Sequence, residues 1–458
     1  MKKIRLSYDT MRKADILIIG GGPAGVVSAI TARRNNSKKK IILVRKEKKI
    51  VIPCGIPYIF HRLDSLEKNL ISDKLLSKNK IKLIVNEAVK IDPSNKIVFL
   101  KDKTKLIYEK LVLATGSESF LIPVKGVDKK GVWYIKKDYE YLEKVRKAVL
   151  KSKNIVIVGG GFVGVELAEE LSNIKDLNIS IVEKMKHCLG TTFDDKFAIA
   201  GEKKLKEMGV KIYTNIAVEE IVGRKKVEYV KLSNRKKIPA DLVIFSIGMR
   251  PNVELAKKTG IKLEENGIWV DEYLRTNVPD VFAVGDCVQR KDFFTQKNIP
   301  VMLASTSCSE ARMVGANLYQ LKILRENKGT LGTFSTYING LVLGVAGLTE
   351  KAAKSEGFNI VAGSVKTSDQ HPEALPGTKT VYVKLIFSKS SEGLLLGGQV
   401  MGAKGVNEMV NIIATAIQQN MSAFDFDTSQ ISTHPLLTTA PTVYPLITAA
   451  QLAIKKMR

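Results

Sequence analysis

The sequence predicts an α/β fold with two doubly wound parallel-sheet units, the first interrupted by the second, followed by an α+β unit. Three observations predict this arrangement. An apolar strand near the start of the chain runs directly into a glycine-rich turn and a helix, and the same succession returns at residues 154–173. Beyond about residue 325 the glycine-rich turns stop and the apolar alternation typical of strands takes over. A chain of 458 residues with 45% hydrophobic content can bury a large core.

The charge balance is strongly basic, with 73 Lys and Arg residues against 46 acidic residues and a formal net charge of +27. The basic clusters, such as those at 38–40 and 235–237, fall in predicted turns and carry no interleaved aromatic residues. This pattern is typical of a solvated, lysine-rich surface. We therefore expect no nucleic-acid partner, although the charge would still attract an anionic cofactor or substrate.

The apolar runs and the cysteine spacing predict that the protein lies in the cytoplasm. No apolar run reaches the length of a membrane span, and the polar, basic first thirteen residues are not followed by a signal-peptide core. The four cysteines lie far apart, with no CxxC pair and no metal-ligand spacing. Such cysteine usage is typical of a reducing compartment, so we expect a cytoplasmic protein with no membrane span and no metal site.

The first glycine-rich turn, at residues 20–25, follows the apolar strand at 15–19, has the spacing GxGxxG and leads into a helix predicted over 26–34. In such a turn the first glycine makes the tight bend, the second lets a pyrophosphate approach the backbone, and the third lets the helix pack on the strand. The helix N-terminus then faces the phosphates, as in Rossmann-like dinucleotide-binding units. The predicted cofactor-binding residues of this turn are Gly20, Gly22, Pro23, Ala24 and Gly25.

The second strand of this unit, at residues 41–44, should end in an acid that hydrogen-bonds a ribose, but the next residue is Arg45. Two interpretations remain open. The guanidinium of Arg45 packs on or near the adenosine half of the cofactor, or Glu47 takes the place of the acid. The unit closes with a strand that runs into a small-residue turn containing Thr115 and Gly116.

Cys54 lies in a turn between Pro53 and Gly55. Pro53 cannot donate a backbone hydrogen bond and Gly55 tolerates close approach, so we expect Cys54 to open a short helix whose free N–H groups favour the thiolate. A thiolate is the nucleophile of disulfide exchange and can donate electrons to an adjacent oxidised ring. We interpret Cys54 as a redox centre, with a buried structural cysteine as the alternative. Cys188 and Cys308 are interpreted as structural, and Cys287 either fills a tight turn as a small residue or lies near the cofactor.

The second glycine-rich turn follows the strand at 154–158 and leads into a helix predicted over 165–173. Two such turns in one chain imply two adenine dinucleotides. The next strand ends in Glu183, the acid expected for a ribose 2′-hydroxyl, which favours NADH. Lys184 and Lys186 leave NADPH as an alternative. The predicted cofactor-binding residues of this turn are Gly159, Gly161, Phe162, Val163 and Gly164.

The early GxGxxG turn, the cysteine in the segment Cys54-Gly55-Ile56-Pro57-Tyr58 and the later Ala-Thr-Gly turn resemble the FAD-dependent pyridine nucleotide-disulfide oxidoreductases. Within this family the pattern is similar to the single-cysteine branch of coenzyme A-disulfide reductases and NADH oxidases. The resemblance implies FAD in the first unit, NAD(P)H in the second and a C-terminal dimerisation domain that makes a homodimer. The implied boundaries are 14–120 and 249–324 for the FAD-binding domain, 121–248 for the NAD(P)H-binding domain and 325–458 for the dimerisation domain.

Four further residues take their expected roles from the resemblance. Glu166 would contact the nicotinamide cofactor, with a solvated first-turn glutamate as the alternative. Gly248 belongs to the return crossing into the FAD-binding domain. Asp286 would bind the ribityl hydroxyls of the flavin, since a carboxylate accepts several hydrogen bonds. His434 lies in the segment that a partner subunit would place beside Cys54 and is a candidate acid/base, with a packing role as the alternative.

The chain departs from the resembled family at several positions. One helical turn after Cys54 the residue is Ile59 rather than a second cysteine, so we expect a mixed disulfide with a small thiol such as coenzyme A, a persulfide or a sulfenic acid. Pro23 stands where the peroxidases and water-forming oxidases carry a histidine. The tyrosines usual in coenzyme A-disulfide reductases are missing at residues 373–375 and near Pro435.

The sequence therefore predicts a flavoprotein oxidoreductase that passes electrons from NAD(P)H through FAD to Cys54. Cys54 would reduce a low-molecular-weight disulfide, a coenzyme A disulfide or persulfide, or a polysulfide. Two alternatives are an NADH oxidase that reduces oxygen and an electron-transfer reductase for a protein partner such as rubredoxin or ferredoxin.

Overall fold

A computed structural model of the chain describes residues 11–324, 328–390 and 392–457. Its strands and helices form four successive groups. The first group is β1 (Met11–Ile19), α1 (Pro23–Asn35), β2 (Ile41–Arg45), α2 (Lys74–Lys78), β3 (Lys82–Val85), β4 (Ala88–Asp92), β5 (Ile97–Leu100), β6 (Lys105–Leu113) and β7 (Ser117–Ser119). The second is β8 (Val132–Tyr134), α3 (Tyr139–Val149), β9 (Asn154–Val158), α4 (Phe162–Ser172), β10 (Asn178–Val182), α5 (Asp195–Glu207), β11 (Lys211–Tyr213), β12 (Val218–Val222), β13 (Tyr229–Leu232), β14 (Lys237–Pro239), β15 (Leu242–Phe245) and β16 (Met249–Pro251). The third is α6 (Glu254–Lys257), β17 (Leu263–Glu264), β18 (Gly267–Ile268), β19 (Val281–Ala283), β20 (Arg290–Lys291), β21 (Asn298–Ile299) and α7 (Ala304–Asn317). The fourth is β22 (Phe334–Ile338), β23 (Leu341–Gly347), α8 (Glu350–Ser355), β24 (Ile360–Ser368), β25 (Thr380–Ser388), β26 (Leu395–Gly402), α9 (Asn407–Gln418), α10 (Ala423–Asp427) and α11 (Pro445–Met457).

The first sheet has the strand order β3-β2-β1-β6-β5-β4, and β19 joins it by pairing with β6. Strands β3, β2, β1, β6 and β19 are parallel, whereas β5 and β4 continue the sheet in antiparallel pairing. All five residues of β2 are buried, as expected for a parallel strand that is covered on both faces. The third group of elements thus returns to the sheet that the first group began.

The second sheet repeats this design with the order β11-β10-β9-β15-β8, in which every pair is parallel. A separate antiparallel sheet of β12, β13 and β14 packs on it. The two large sheets are linked by β7 and β16, which pair antiparallel with each other. The chain therefore leaves the first unit through β7 and re-enters it through β16, which is the interrupted arrangement that the sequence predicts.

The C-terminal unit is an antiparallel sheet in the order β22-β23-β26-β25-β24. Helices α9 and α11 share an apolar core with this sheet, and glycines allow the close packing. For example, a Cβ at Gly363 would lie 1.8 Å from the Ala449 carbonyl oxygen. The α+β fold expected for this region is confirmed. The proposed boundary at residue 325 falls on residues 325–327, which lie outside the described residues.

The element boundaries differ from the prediction at both dinucleotide helices. The sequence predicts that they begin at Val26 and Val165, but α1 begins at Pro23 and α4 at Phe162. Each helix therefore includes the last part of its glycine-rich turn. Proline is favoured at the first helical position because its missing N–H has no helical partner there.

Candidate functional site

The first glycine-rich turn forms an open backbone cradle at the start of α1. Gly20 has a φ of +120°, and a Cβ on it would lie 2.0 Å from the Ala114 carbonyl oxygen. A Cβ on Gly25 would lie 2.0 Å from the Gly20 carbonyl oxygen, so this position requires the close helix–strand packing predicted for it. Gly22, by contrast, has no atom within 4 Å of its Cβ position, which leaves space where phosphates would approach the helix N-terminus.

The second glycine-rich turn has the same geometry at the start of α4. Gly159 has a φ of +105°, and a Cβ on Gly164 would lie 1.9 Å from the Gly159 carbonyl oxygen. The Cβ position of Gly161 is open, as it is in the first turn. Phe162 stacks on Phe334 of β22, with ring centroids 5.1 Å apart. The next residue, Val163, is 39% exposed.

Arg45 lies beneath the first turn, where its side chain is buried and its guanidinium donates four hydrogen bonds. Its Nη1 and Nη2 form a two-point ion pair with Asp73, and its Nε donates to the Glu47 carbonyl oxygen at 2.9 Å. Its methylene stem packs on Gly21, where a Cβ would lie 2.5 Å from Arg45 Cδ. The guanidinium is therefore directed to Asp73 and the backbone, and the part of Arg45 next to the glycine turn is its apolar stem.

Glu183 lies directly after β10, beside the second turn. The backbone N–H groups of Gly160 and Met185 donate to its two carboxylate oxygens at 2.6 and 2.7 Å. The nearby Lys186 pairs with Asp195 at 2.6 Å. This places Glu183 at the strand end where a ribose-binding acid is expected.

Asp286 follows β19 in a short 3-10 helix and is the centre of a polar network. Its Oδ2 accepts hydrogen bonds from Ser117 Oγ at 2.7 Å and Lys137 Nζ at 3.0 Å, and its Oδ1 from Ser307 Oγ at 3.4 Å. Burial alone would raise the pKa of Asp286, but the Lys137 charge and the Ser117 hydrogen bond outweigh it and lower the pKa. A carboxylate that is largely removed from water is thus kept ionised at this end of the first sheet.

Three small residues shape the space around this network. Thr115 donates its hydroxyl to the Asn252 carbonyl oxygen at 2.7 Å, which joins the Ala-Thr-Gly turn to the return crossing. Gly116 and Gly248 have positive φ values of +69° and +106°, and their Cβ positions are open. Substitution there would be strained by the backbone conformation.

Cys54 lies in a three-residue 3-10 helix, Pro53–Gly55, and its side chain is exposed. The short helix agrees with the prediction, but the expected lowering of the thiol pKa is wrong. Partial removal of water by the surrounding protein and the charges of Glu166 and Asp286 raise the pKa of Cys54, while Lys137 acts in the opposite direction. Three residues are too few to build a helix dipole, so burial decides the direction of the shift, with the neighbouring charges as smaller causes.

Glu166 projects from α4 and accepts a hydrogen bond from Thr336 Oγ1 of β22 at 3.2 Å. Burial, with smaller contributions from Glu169 and Glu170, raises the pKa of Glu166 to about 7. The alternative of a freely solvated first-turn glutamate does not describe this environment. Near neutral pH the Glu166 side chain is present in both protonation states.

A cleft of about 480 Å³ lies beside Glu166, between the cysteine segment and the C-terminal unit. Burial and the charge of Glu166 raise the pKa of Tyr58, which lines the cleft, to about 12, so its hydroxyl stays neutral. The residues around the cleft are Tyr58, Arg62, Glu166, Ser335, Thr336, Tyr337, Val342 and Asn407.

His434 lies on the surface of the C-terminal unit and bonds within its own turn. Its Nδ1 accepts the Leu436 N–H at 3.2 Å, and its backbone N–H donates to Thr438 Oγ1 at 3.0 Å. The turn is docked on His371, whose N–H donates to the Pro435 carbonyl oxygen at 3.0 Å. Within this chain His434 therefore has a local structural role, and any contact with Cys54 would come from a second copy.

The remaining cysteines and the membrane expectation can be compared with the structure directly. All four cysteines are free; Cys188 and Cys287 are buried and Cys308 is half-buried. Cys287 packs in the core with its Sγ 3.2 Å from the Val284 carbonyl oxygen. Over residues 11–324, 328–390 and 392–457, no cluster of three or more His, Cys, Asp or Glu residues could hold a metal ion, and no helix is long and apolar enough to cross a membrane.

Two site residues were not predicted from the sequence. Lys137 follows β8 and reaches Asp286 across 149 positions of the chain, and Arg62 reaches Glu169 across 107. Neither belongs to a motif. The distance along the chain explains why the pattern of the sequence gives no signal for them.

Comparisons with known proteins agree with this geometry. Residues 14–311 match the pyridine nucleotide-disulphide oxidoreductase family, and residues 334–443 match the dimerisation domain of the same family. The chain is 31% identical to an NADH oxidase of Methanocaldococcus jannaschii, covering 96% of this chain and 99% of the relative. It is 30% identical to a CoA-dependent NAD(P)H sulfur oxidoreductase of Pyrococcus abyssi, covering 96% and 98%. Among solved structures, a NAD-dependent persulfide reductase from A. fulgidus has a TM-score of 0.88 at 28% identity, covering 96% of this chain and 83% of that one.

Proposed function

The chain belongs to the pyridine nucleotide-disulphide oxidoreductase family and is an FAD-dependent NAD(P)H oxidoreductase, and from this premise we propose that Cys54 is its redox centre. The proposed substrates are a low-molecular-weight disulfide, a coenzyme A disulfide or persulfide, or a polysulfide. The observation that carries the proposal is the placement of Cys54. Its thiol is exposed and has no cysteine partner in its turn. The charges of Asp286, Lys137 and Glu166 all lie near enough to change the pKa of this thiol.

The chain's residues fit the two cofactors of the family. The open Cβ positions of Gly22 and Gly161 leave space for two pyrophosphates at the N-termini of α1 and α4. We propose that Asp286 and the turn of Thr115 and Gly116 hold FAD, in a domain formed by residues 14–120 and 249–324. We propose that Glu183 and the second glycine turn hold NADH in residues 121–248, with residues 325–458 as the dimerisation domain.

The bound flavin would accept the hydride of NAD(P)H and supply the electron pair that breaks a sulfur–sulfur bond at Cys54. The thiolate of Cys54 attacks one sulfur of the substrate, forms a mixed disulfide and releases the first thiol. Reduction of the mixed disulfide releases the second thiol and restores Cys54. The overall reaction is NAD(P)H + H⁺ + RSSR → NAD(P)⁺ + 2 RSH.

Burial raises the pKa of Cys54 most, and two neighbouring charges further modulate how readily its thiol ionises. The Lys137 ammonium stabilises the thiolate, whereas an ionised Glu166 destabilises it. Since Glu166 has a pKa of about 7, its protonated form removes that repulsion just below neutral pH. Lys137 is itself held by Asp286 and Ser117, so its charge stays fixed near the site.

A second candidate function is the reduction of oxygen with Cys54 as a sulfenate, which the M. jannaschii relative named NADH oxidase favours. Mass spectrometry of the non-reduced protein separates the two. A coenzyme A adduct on Cys54 is expected for the disulfide reductase, whereas one added oxygen would favour the oxidase. An unmodified Cys54 would contradict a stable adduct of either kind.

Kinetic assays of Cys54→Ser test the proposal independently, with Cys308→Ser as the matched control. We expect Cys54→Ser to lose NADH-dependent reduction of coenzyme A disulfide and persulfide, while Cys308→Ser keeps it. If Cys54→Ser retained disulfide reduction, Cys54 would not be the redox centre. Oxygen uptake that falls with Cys54→Ser would instead support the oxidase.

The family match over residues 334–443 supports a homodimer, and we propose that the partner subunit places its copy of His434 beside Cys54 as an acid/base. Sedimentation of the purified protein tests the dimer. His434→Gln tests the acid/base role, for which we expect slower disulfide turnover with flavin reduction by NADH unchanged. An unchanged turnover would leave His434 with its local role alone.

A further inference from the structure

Arg62, at the end of the segment that carries Cys54, connects this segment to α4. Its Nη2 lies 2.6 Å from Glu169 Oε1, and its Nη1 lies 2.6 Å from Glu170 Oε1. Its backbone N–H also donates to Glu170 Oε2 at 3.0 Å. Three contacts therefore attach one residue of the cysteine segment to two adjacent residues of the helix that follows the second glycine turn.

The two glutamates depend on this contact because they are removed from water. Their side chains are 2% and 0% exposed, whereas that of Arg62 is 38% exposed. A buried carboxylate needs a charged or hydrogen-bonding partner, and the planar guanidinium can serve two at once. His61 is a further neighbour, with its Nδ1 3.9 Å from Glu170 Oε2. The position of Arg62 on α4 is thus fixed by buried charge as well as by packing.

A third part of the fold joins the same cluster. The guanidinium lies 5.7 Å from the ring centroid of Tyr58 in the cysteine segment and 5.3 Å from that of Tyr337 in β22. The backbone N–H of Asn339 donates to Glu169 Oε1 at 3.4 Å. Arg62 consequently lies where the cysteine segment, α4 and the C-terminal sheet meet, and it lines the cleft that contains Glu166.

We propose that Arg62 is a positioning residue, whose ion pairs with Glu169 and Glu170 hold the segment 53–62 in register on α4 and so set the placement of Cys54. The inference rests on the proposed function, in which Cys54 is the residue that receives electrons. The segment also has an apolar anchor, since Ile59 and Phe60 are buried. Loss of Arg62 would therefore leave the segment folded but without the ion pairs that fix its position on α4.

The expected consequence is a selective loss in one half of the catalytic cycle. Hydride delivery depends on the cofactor held by the second glycine turn and Glu183, whereas Arg62 contacts α4 at Glu169 and Glu170, about two helical turns after its start. Disulfide reduction depends instead on where the Cys54 sulfur lies. Because small misplacements of reacting atoms have large effects on rate, we expect about a tenfold slower reaction of Cys54 with substrate in Arg62→Met. Arg62→Lys should restore part of the rate, since it keeps the charge but not the two-point geometry.

Stopped-flow measurements on the holoenzymes test this inference. Flavin reduction by NADH and its reoxidation by coenzyme A disulfide are followed separately for Arg62→Met, Arg62→Lys and Glu170→Gln, with the exposed Arg224→Met as control. We expect slower reoxidation in Arg62→Met with flavin reduction and FAD content within twofold of the native protein. Unchanged reoxidation, or an equal fall in both half-reactions, would overturn the positioning role.

A parallel measurement separates this inference from the proposed function. If Cys54→Ser leaves reoxidation by the disulfide intact, the proposed function fails, and the rate of Cys54 alkylation by iodoacetamide then decides the positioning role. If the alkylation rate of Cys54 differs about threefold or more between the native protein and Arg62→Met, the positioning role of Arg62 is supported. An equal alkylation rate overturns it. If Cys54→Ser abolishes reoxidation but Arg62→Met does not slow it, the inference alone fails.

Discussion

Replacement of Glu166 by glutamine should make the protein relatively more stable at pH 8 than at pH 5. Burial raises the pKa of Glu166 from 4.5 to about 7, so the folded state disfavours the ionised form. The resulting penalty is absent below the unfolded pKa and complete above the folded one. At 1.36 kcal/mol per pKa unit, it amounts to about 3 kcal/mol as an upper value. Glutamine avoids the charge and can still accept the Thr336 hydrogen bond.

Tryptophan fluorescence during urea unfolding provides the assay. The chain has two tryptophans, and a Trp269→Phe background leaves Trp133 in β8 as the reporter for the unit that contains Glu166. The difference in unfolding free energy between Glu166→Gln and its parent is measured at pH 5 and pH 8, and Glu140→Gln provides an exposed control on α3. A difference that does not grow with pH would refute the argument that burial sets the ionisation of Glu166.

Three further predictions concern the second glycine turn, the thiol and the domain contact. Gly164→Ala should abolish NADH binding while FAD stays bound, because the new Cβ would lie 1.9 Å from a backbone carbonyl oxygen of the turn; calorimetric titration and the flavin absorbance check this, and normal NADH affinity would contradict it. Lys137→Met should move the alkylation profile of Cys54 to higher pH, because the lysine charge lowers the pKa of that thiol; an unmoved profile would rule out this influence. Lys384→Met should lower the unfolding free energy by about 3 kcal/mol, because its half-buried ammonium lies 2.7 Å from Asp194 Oδ2 across the contact between two units; an unchanged urea midpoint would show that the pair contributes nothing.

The sequence predicts those parts of the site that depend on local backbone geometry. The close contacts expected at Gly20 and Gly25 are present, because the clashes that force a glycine occur within one strand, turn and helix. Their part in binding a cofactor stays a prediction. The acid Glu183 likewise lies at the strand end that its position in the pattern indicates. These features need only neighbours along the chain, so a short pattern contains enough information to place them.

The sequence does not predict properties set by residues that meet only in the folded chain. The pKa of Cys54 is raised because desolvation and Glu166 outweigh both Lys137 and any benefit of a three-residue helix. Arg45 illustrates the same point, since the direction of its guanidinium is set by the ion pair with Asp73, which lies far from it in the sequence. Local patterns therefore identify the residues of this site better than they identify the charge states of those residues.

Burial sets the ionisation of two carboxylates on α4, Glu166 and Glu170, although their partners differ. Arg62 forms ion pairs with both Glu169 and Glu170. In the part of the chain that the structure describes, Glu166 instead accepts a hydrogen bond from the neutral hydroxyl of Thr336. Burial is nevertheless the largest cause for both Glu166 and Glu170 and raises their pKa values to about 7, where a small change in pH alters their charge. Because the charge of Glu166 raises the pKa of Cys54, α4 connects the protonation of Glu166 to the reactivity of the thiol.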